Sequence, residues 1–494
     1  MTNQKNQAIV VGSGVAGLAS AIRLAKMGFN VTVFEKNSYP GGKLSHFEQD
    51  GFAFDAGPSL FTQPQNVIDI FEFAGENIAD YFDYAAVPIA CTYFYPKGQV
   101  VYAHTDKQKF ADELHDKLGE KPENVLNYLK DAELCSTHIG QFFIENSLHK
   151  RSTYKWKDLS KAIQHTKLSY LIDSLHTYNT KRFTQKETVQ LFNRYATYNG
   201  SNPYAAPGML SLIPHLEQNE GTFYPFGGMI SITNALVKLA EKLGVRIKLN
   251  TEVNKILTEN EVISGVIANG KKYEADIVVS NMDVYFTYKK LLDDPKAATK
   301  VLRQERSSSA VIFYWGIDRE FPELGLHNIF FSADYETEFD HLFHKKTLSD
   351  DPTVYINITS KMEKGQAPEG SENWFVMVNA PHNQGQDWDS LIAQCRSNVL
   401  KKLSKMLKTD VSQLIKTEAI LNPLSIESKT SSYTGSLYGT SSNSKMAAFL
   451  RHPNFKSSIK GLYFVGGSVH PGGGIPLCLK SAKIVASLIS EDTN

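Results

Sequence analysis

Short apolar runs rich in β-branched residues, each ending in glycine or an acid, stand out at both ends of the chain. Residues 8–11 (AIVV) read as a strand buried on both faces. Gly12-Ser13-Gly14-Val15-Ala16-Gly17 follows, and residues 18–27 carry apolar side chains at helical spacing until Gly28 stops them. Residues 31–34 form a second buried strand that ends on Glu35. Strand, glycine turn, helix, strand and acid, in that order, are what a dinucleotide-binding βαβ unit needs. Gly12 supplies the tight turn, Gly14 lets backbone approach a pyrophosphate, and Gly17 allows close helix–strand packing. A diphosphate there rests on a helix N-terminus, where unpaired N–H groups and the helix dipole favour an anion. Glu35 is placed to accept hydrogen bonds from both hydroxyls of a ribose and would repel a 2′-phosphate. An ordinary structural turn shows the same glycines, and the fingerprint alone does not separate NAD from FAD.

Further along, Pro40-Gly41-Gly42-Lys43-Leu44 brings backbone and a cation close together, so Lys43 is a candidate partner for the diphosphate. Residues 51–54 predict a short strand leading into Asp55-Ala56-Gly57-Pro58-Ser59-Leu60, a turn whose N–H groups suit a polar heterocycle. From 67 to about 220 the pattern is largely helical, with residues 121–134 as one clear case. Within it, residues 150–167 carry Lys150, Arg151, Lys155, Lys157, Lys161 and Lys167 against Asp158 alone. Trp156, Leu159, Ile163 and Leu171 lie among and just after them. That mixture suits a helix lying on an anionic membrane over residues 150–175, and it equally describes a solvated helix face. Residues 275–281 (ADIVVSN) form another buried strand. Alternating runs at 310–317, 353–358 and 374–378 predict antiparallel strands with one covered face and one face to a cavity, with a helix at 388–407. Residues 461–465 are a last buried strand, and a helix over 479–490 starts behind a glycine-rich loop.

At 494 residues the chain exceeds one compact core. Net charge is zero, so no nucleic acid or other polyanion is expected as a partner. No apolar run is long enough to span a bilayer, and the polar residues before the first strand do not resemble a signal peptide. Cys91, Cys135, Cys395 and Cys478 stand singly, which argues against a metal site or a redox disulfide and for a reducing cytoplasm.

The run from the glycine fingerprint through Glu35, PGGK (40–43) and FDAGPSLFT (54–62) resembles the bacterial-type phytoene desaturase family of FAD-dependent carotenoid oxidoreductases. Two later blocks match the same family: ADIVVSNMD (275–283), and Gly466-Gly467-Ser468-Val469-His470-Pro471-Gly472-Gly473-Gly474-Ile475-Pro476. Many flavoproteins of this fold carry Gly-Asp at the start of the last block. The Gly467-Ser468 pair departs from them and agrees with the carotenoid branch. The resemblance covers nearly the whole chain, and its look is closest to hydroxycarotenoid 3,4-desaturases of flavobacterial type.

The resemblance implies an α/β fold, an FAD-binding Rossmann-like domain of the glutathione-reductase/amine-oxidase kind with an inserted α+β substrate domain. The FAD-binding parts are 1–75, 221–288 and 426–494, the largely helical, membrane-facing part 76–220, and the antiparallel-sheet substrate domain 289–425. It assigns FAD to Gly12, Gly14, Val15, Ala16, Glu35, Lys36, Gly42, Lys43, Leu44, Pro58, Ser59, Leu60, Val253, Asn281, Gly466, Gly467, Ser468, Gly474, Ile475 and Pro476. Val253 is expected to meet the adenine with its backbone, and Asp283 matches the family motif. The implied reaction is desaturation of an acyclic carotenoid: hydride transfer to flavin N5 and loss of a proton, with 3,4-desaturation of a 1-hydroxycarotenoid favoured. Phytoene or diapophytoene desaturation, polyene isomerisation or saturation, and a prenyl-lipid carrier without catalysis are the alternatives. No catalytic side chain stands out. His470 is a candidate proton acceptor and equally a packing residue, and Arg194, Tyr198 and Asn199 are weaker candidates. A water-insoluble substrate implies peripheral attachment to the inner face of the cytoplasmic membrane, with oxygen or a quinone as electron acceptor.

Overall fold

A computed structural model describes residues 6–150, 153–154, 168–444 and 451–493. Its cofactor-side core is a parallel sheet of five strands in the order Leu462–Phe464, Ile277–Ser280, Gln7–Val11, Asn30–Phe34, Arg246–Lys248. The first strand shows why such runs read as continuously apolar. Ala8 and Val10 pack against helices Val15–Lys26, Ile230–Lys242 and Ile475–Thr493, while Ile9 and Val11 face a three-stranded antiparallel sheet, Val253–Glu259, Val262–Ala268 and Lys271–Glu274. Both faces are covered, so neither can be polar. The first helix begins at Val15 rather than at Leu18, which places Gly17 inside its first turn. A Cβ at Gly17 would lie 2.2 Å from the Gly12 carbonyl oxygen, so nothing but glycine fits there without moving the turn.

The second sheet has seven strands in the order Ile415–Leu421, Ser309–Ile317, Glu372–Ala380, Val354–Ile358, His327–Phe330, Ile89–Phe94, Val100–His104. Two features differ from the expectation. The last two strands come from the 76–220 stretch read as largely helical, and His327–Phe330 runs parallel to Ile89–Phe94, so the sheet is not wholly antiparallel. Ile89–Phe94 (IACTYF) is too short for a helix and rich in strand formers, and one of its two partners is a strand more than two hundred residues away. One face of this sheet (Val311, Phe313, Trp315, Val376, Val378) buries against Ile392, Cys395, Val399 and Leu403 of helix Trp388–Met406. On the other face the register aligns Tyr93, Ile329, Tyr355, Met377, Ile312 and Leu421 in one row across six strands. All of this row except Tyr93 lines the cavity described below.

Most of the basic stretch falls outside the described residues, including Lys155, Trp156, Lys157, Lys161 and Lys167. Lys150, at its start, reaches Glu491 at 3.4 Å and Asp492 at 3.1 Å on the C-terminal helix. That lysine is therefore engaged within the fold.

Candidate active site

The two sheets meet around a cavity of about 840 Å³. All the residues that the motifs nominate for FAD line it, from Gly12 through Pro476, although they come from widely separated stretches of chain. Two helices begin at its wall. The first, Val15–Lys26, has Gly14 at its N-cap and no side chain capping it, so its leading N–H groups remain available to an anion. The second, Ile475–Thr493, starts from Gly474, which also lines the cavity.

Asn281 explains the glycine spacing from the protein's side. Its Nδ2 donates to the Val465 carbonyl at 3.2 Å, fixing the amide between the first and last sequence blocks. A Cβ on Gly14 would meet its Oδ1 at 2.6 Å, and one on Gly466 its Nδ2 at 2.5 Å. Both glycine turns thus close around one side chain at the end of strand Ile277–Ser280.

Glu35 is 5% exposed and already well occupied. Its Oε2 accepts from the Ser13 N–H and hydroxyl, each at 2.8 Å, and its Oε1 accepts from the Asn37 N–H at 2.9 Å. A carboxylate offers about four acceptor positions. The expectation that Glu35 takes both ribose hydroxyls therefore narrows to one, because its other positions hold Ser13 of the glycine turn and the Asn37 N–H. Lys43 donates to the Leu437 carbonyl at 2.7 Å, and burial pushes its ammonium down to about 8. Lys36 bonds the Ser428 carbonyl and the Ser431 hydroxyl, at 2.8 and 2.9 Å. Ser468 accepts from the Val284 N–H at 3.0 Å. Asp283 lines the cavity and forms a buried ion pair with Arg306 at 2.5 Å.

The sheet side of the cavity holds groups that no motif announced. Arg194 Nη2 donates to the Tyr93 hydroxyl at 2.6 Å and lies 3.4 Å from both Glu217 oxygens. Tyr195, at 2.9 Å, and Tyr198 donate their hydroxyls to the same carboxylate. Arg194, Tyr198 and Glu217 line the cavity, so two of the weaker candidates belong to a buried ion-pair cluster. Asn199 donates from Nδ2 to the Ser442 hydroxyl at 3.1 Å and is not part of the lining. Glu217 lay in an unremarkable helix, Ile213–Gln218, and its one signal was an acid among residues that must be buried. Tyr355 and His327 form a second polar group, with the Tyr355 hydroxyl 2.8 Å from both Ser59 Oγ and His327 Nδ1.

His470 does not line the cavity. Its Nε2 pairs with the Asn146 carbonyl at 2.9 Å, and burial pushes it down to about 4. The site's chemistry is therefore that of a dinucleotide cradle opening onto an apolar wall with a few buried polar groups. The uncapped start of helix Val15–Lys26, glycine turns with no room for side chains, and an acid at the end of the second strand all fit FAD.

The description "Flavin containing amine oxidoreductase" matches residues 15–490. The chain is 49% identical over 484 residues to a 1-hydroxycarotenoid 3,4-desaturase of a Flavobacterium species, covering 98% of this chain and 99% of the relative. It is 36% identical to a 4,4′-diapolycopene oxygenase of a Methylomonas species, covering 99% of each. Among solved structures, wild-type putrescine oxidase bound to putrescine superposes with a TM-score of 0.62 at 14% identity, covering 99% of both chains, a likeness of fold. These similarities run the length of the chain and include the cradle and the apolar wall together. The chain belongs to the flavin-containing amine oxidoreductase family, in the branch of the carotenoid oxidoreductases, and is an FAD-dependent enzyme.

Proposed function

We propose that the protein desaturates an acyclic carotenoid bearing a terminal hydroxyl, introducing the 3,4 double bond of a 1-hydroxycarotenoid. The observation that carries this is the single cavity shared by the cofactor cradle and the wall of Ile312, Ile329, Tyr355, Phe375 and Met377. A polyene has no charge to grip, so a long apolar wall must hold it by dispersion and by exclusion of water. When bound, FAD supplies the oxidant: it takes two electrons and one hydrogen as a C=C bond forms, and the second hydrogen leaves as a proton.

The chain's own part is orientation. Conjugation with the polyene delocalises positive charge developing beside it, which lowers the demand for a strong base. Glu217, the carboxylate on the sheet side of the cavity, already accepts from two tyrosines and lies within reach of Arg194. Its role in this reading is to hold Arg194 and Tyr198 in the wall.

Incubating the flavin-loaded protein with a 1-hydroxylated acyclic carotenoid should give a product lighter by two hydrogens. An unchanged mass would mean isomerisation, added hydrogen saturation, and a gained oxygen the oxygenase chemistry named for the Methylomonas relative; each sinks the proposal.

The same reading has the enzyme at the inner face of the cytoplasmic membrane, passing electrons to oxygen or a quinone. Exposed Tyr154 within the basic stretch, and exposed Leu171 and Ile172 just after it, support a lipid contact there, while no helix among the described residues is long and apolar enough to cross a membrane. Replacing Lys155, Lys157 and Lys161 by Glu should weaken co-sedimentation with anionic vesicles, most at low salt. Unaltered binding would make the stretch a solvated face.

A further inference from the structure

His327 is 3% exposed, lines the cavity, and has hydrogen bonds on one ring nitrogen only. Asn357 settles which nitrogen bears the proton. Its Nδ2 donates to the Leu326 carbonyl at 3.1 Å, which fixes the amide orientation, and the same nitrogen lies 3.2 Å from His327 Nδ1. A ring nitrogen that accepts from an amide carries no hydrogen, so the imidazole proton sits on Nε2. Nε2 is buried and has no partner. Burial, with the Arg194 charge adding to it, pushes His327 down to about 3, so the ring is neutral at any working pH. A buried donor without an acceptor is costly, and at the wall of a cavity it marks a place where a ligand supplies the acceptor.

Its position relative to the cofactor cradle narrows what that ligand atom is. His327 Nδ1 meets the Tyr355 hydroxyl, which meets Ser59 beside Pro58 and Leu60 in the loop lining the cradle. The imidazole is therefore one phenol away from that loop. Tyr314 and Tyr335 also line the cavity and have buried hydroxyls without a partner, but neither is tied to Ser59. In a 1-hydroxy end group the oxygen sits on a carbon two bonds from C3, so whatever recognises it must lie close to the redox centre.

We propose that His327 Nε2–H donates to the terminal hydroxyl oxygen of the carotenoid and selects hydroxylated over deoxygenated end groups, with Tyr355 and Asn357 as positioning residues that hold its tautomer. The assignment rests on the hydroxycarotenoid reading above. It involves no covalent step. Because the contact is the same before and during reaction, it acts through binding: discrimination appears in Kd and KM, with kcat little changed.

The test compares a 1-hydroxylated acyclic carotenoid with its counterpart lacking the hydroxyl, delivered in the same micelles to FAD-loaded protein. Kd is read from quenching of intrinsic protein fluorescence, and kcat and KM from turnover. Wild type should prefer the hydroxylated compound by about 10–100-fold. His327→Leu should bring the ratio to within about threefold by weakening only the hydroxylated compound. His327→Phe keeps a ring and serves as a second removal variant should the first lose FAD. His327→Gln, which places an amide N–H near the same point, should keep part of the preference. Full discrimination retained by the Leu and Phe variants overturns the assignment, as does a wild type that desaturates both compounds equally well. A wild type that desaturates neither overturns the functional reading itself, a result distinguishable from the other two.

Discussion

Replacing Arg306 by methionine is expected to destabilise the protein by about 3–5 kcal/mol, the cost of leaving one member of a buried ion pair alone. Asp283 and Arg306 are 6% and 5% exposed in their side chains, so water cannot take over for the missing partner. The pair also joins distant parts of the molecule. Asp283 caps the short helix Val284–Phe286 just beyond strand Ile277–Ser280, through the Tyr285 N–H at 3.0 Å, and Arg306 stands just before strand Ser309–Ile317 and bonds the Tyr433 carbonyl at 3.3 Å. Losing it loosens the seam between the cofactor sheet and the substrate sheet. Asp283→Asn combined with Arg306→Met should recover most of the loss, since asparagine keeps the cap without a charge. Denaturant titrations of the single and double variants decide the matter. Equal stability of wild type and Arg306→Met, or no recovery in the double variant, would show that the pair does not act as described.

The second large effect is on cofactor affinity. Glu35→Ala removes a ribose acceptor and also releases the N–H groups of Ser13 in the glycine turn and of Asn37. A charge-assisted hydrogen bond contributes about 1.5–3 kcal/mol, so FAD affinity should fall by roughly 10–150-fold. Glu35→Gln can keep one acceptor and should fall between the two. Flavin content after extended dialysis, with circular dichroism as a check on folding, measures it. Equal occupancy in wild type and Glu35→Ala would remove Glu35 from the cofactor site.

The cradle was legible because its rules are local. Gly12, Gly14, Gly17 and Glu35 serve one strand–turn–helix–strand unit, and each has a conformational or charge reason visible within thirty residues. The row from Tyr93 to Leu421 was not legible, since it exists only once six strands are in register, and register is a property of pairs. The same reason hid His327. A histidine between Leu326 and Asn328 says nothing until Asn357 fixes its tautomer from the neighbouring strand. His470 drew attention through its place in a glycine-rich loop, yet the loop presents Gly473 and Gly474 to the cavity and turns the ring toward Asn146. Glu217 was missed because buried acids have no periodic signature.

The order of strands in the parallel sheet also dictates when the enzyme can come into being. Ala8 pairs with Ile277, and the outer strand Leu462–Phe464 pairs with the far side of Ile277–Ser280. At about 5–20 residues added per second, the first βα unit waits tens of seconds for its central neighbour and longer for the last. Throughout that interval the edge of Gln7–Val11 that Ile277–Ser280 will cover stands open, an invitation to pair with another chain. Asn281 emerges before Gly466, so the clasp around the cofactor turns closes only once the block at 466–476 has been made. Yield of active enzyme should therefore depend on chaperone supply and on flavin being present as that block leaves the ribosome, more than on the stability of the finished fold.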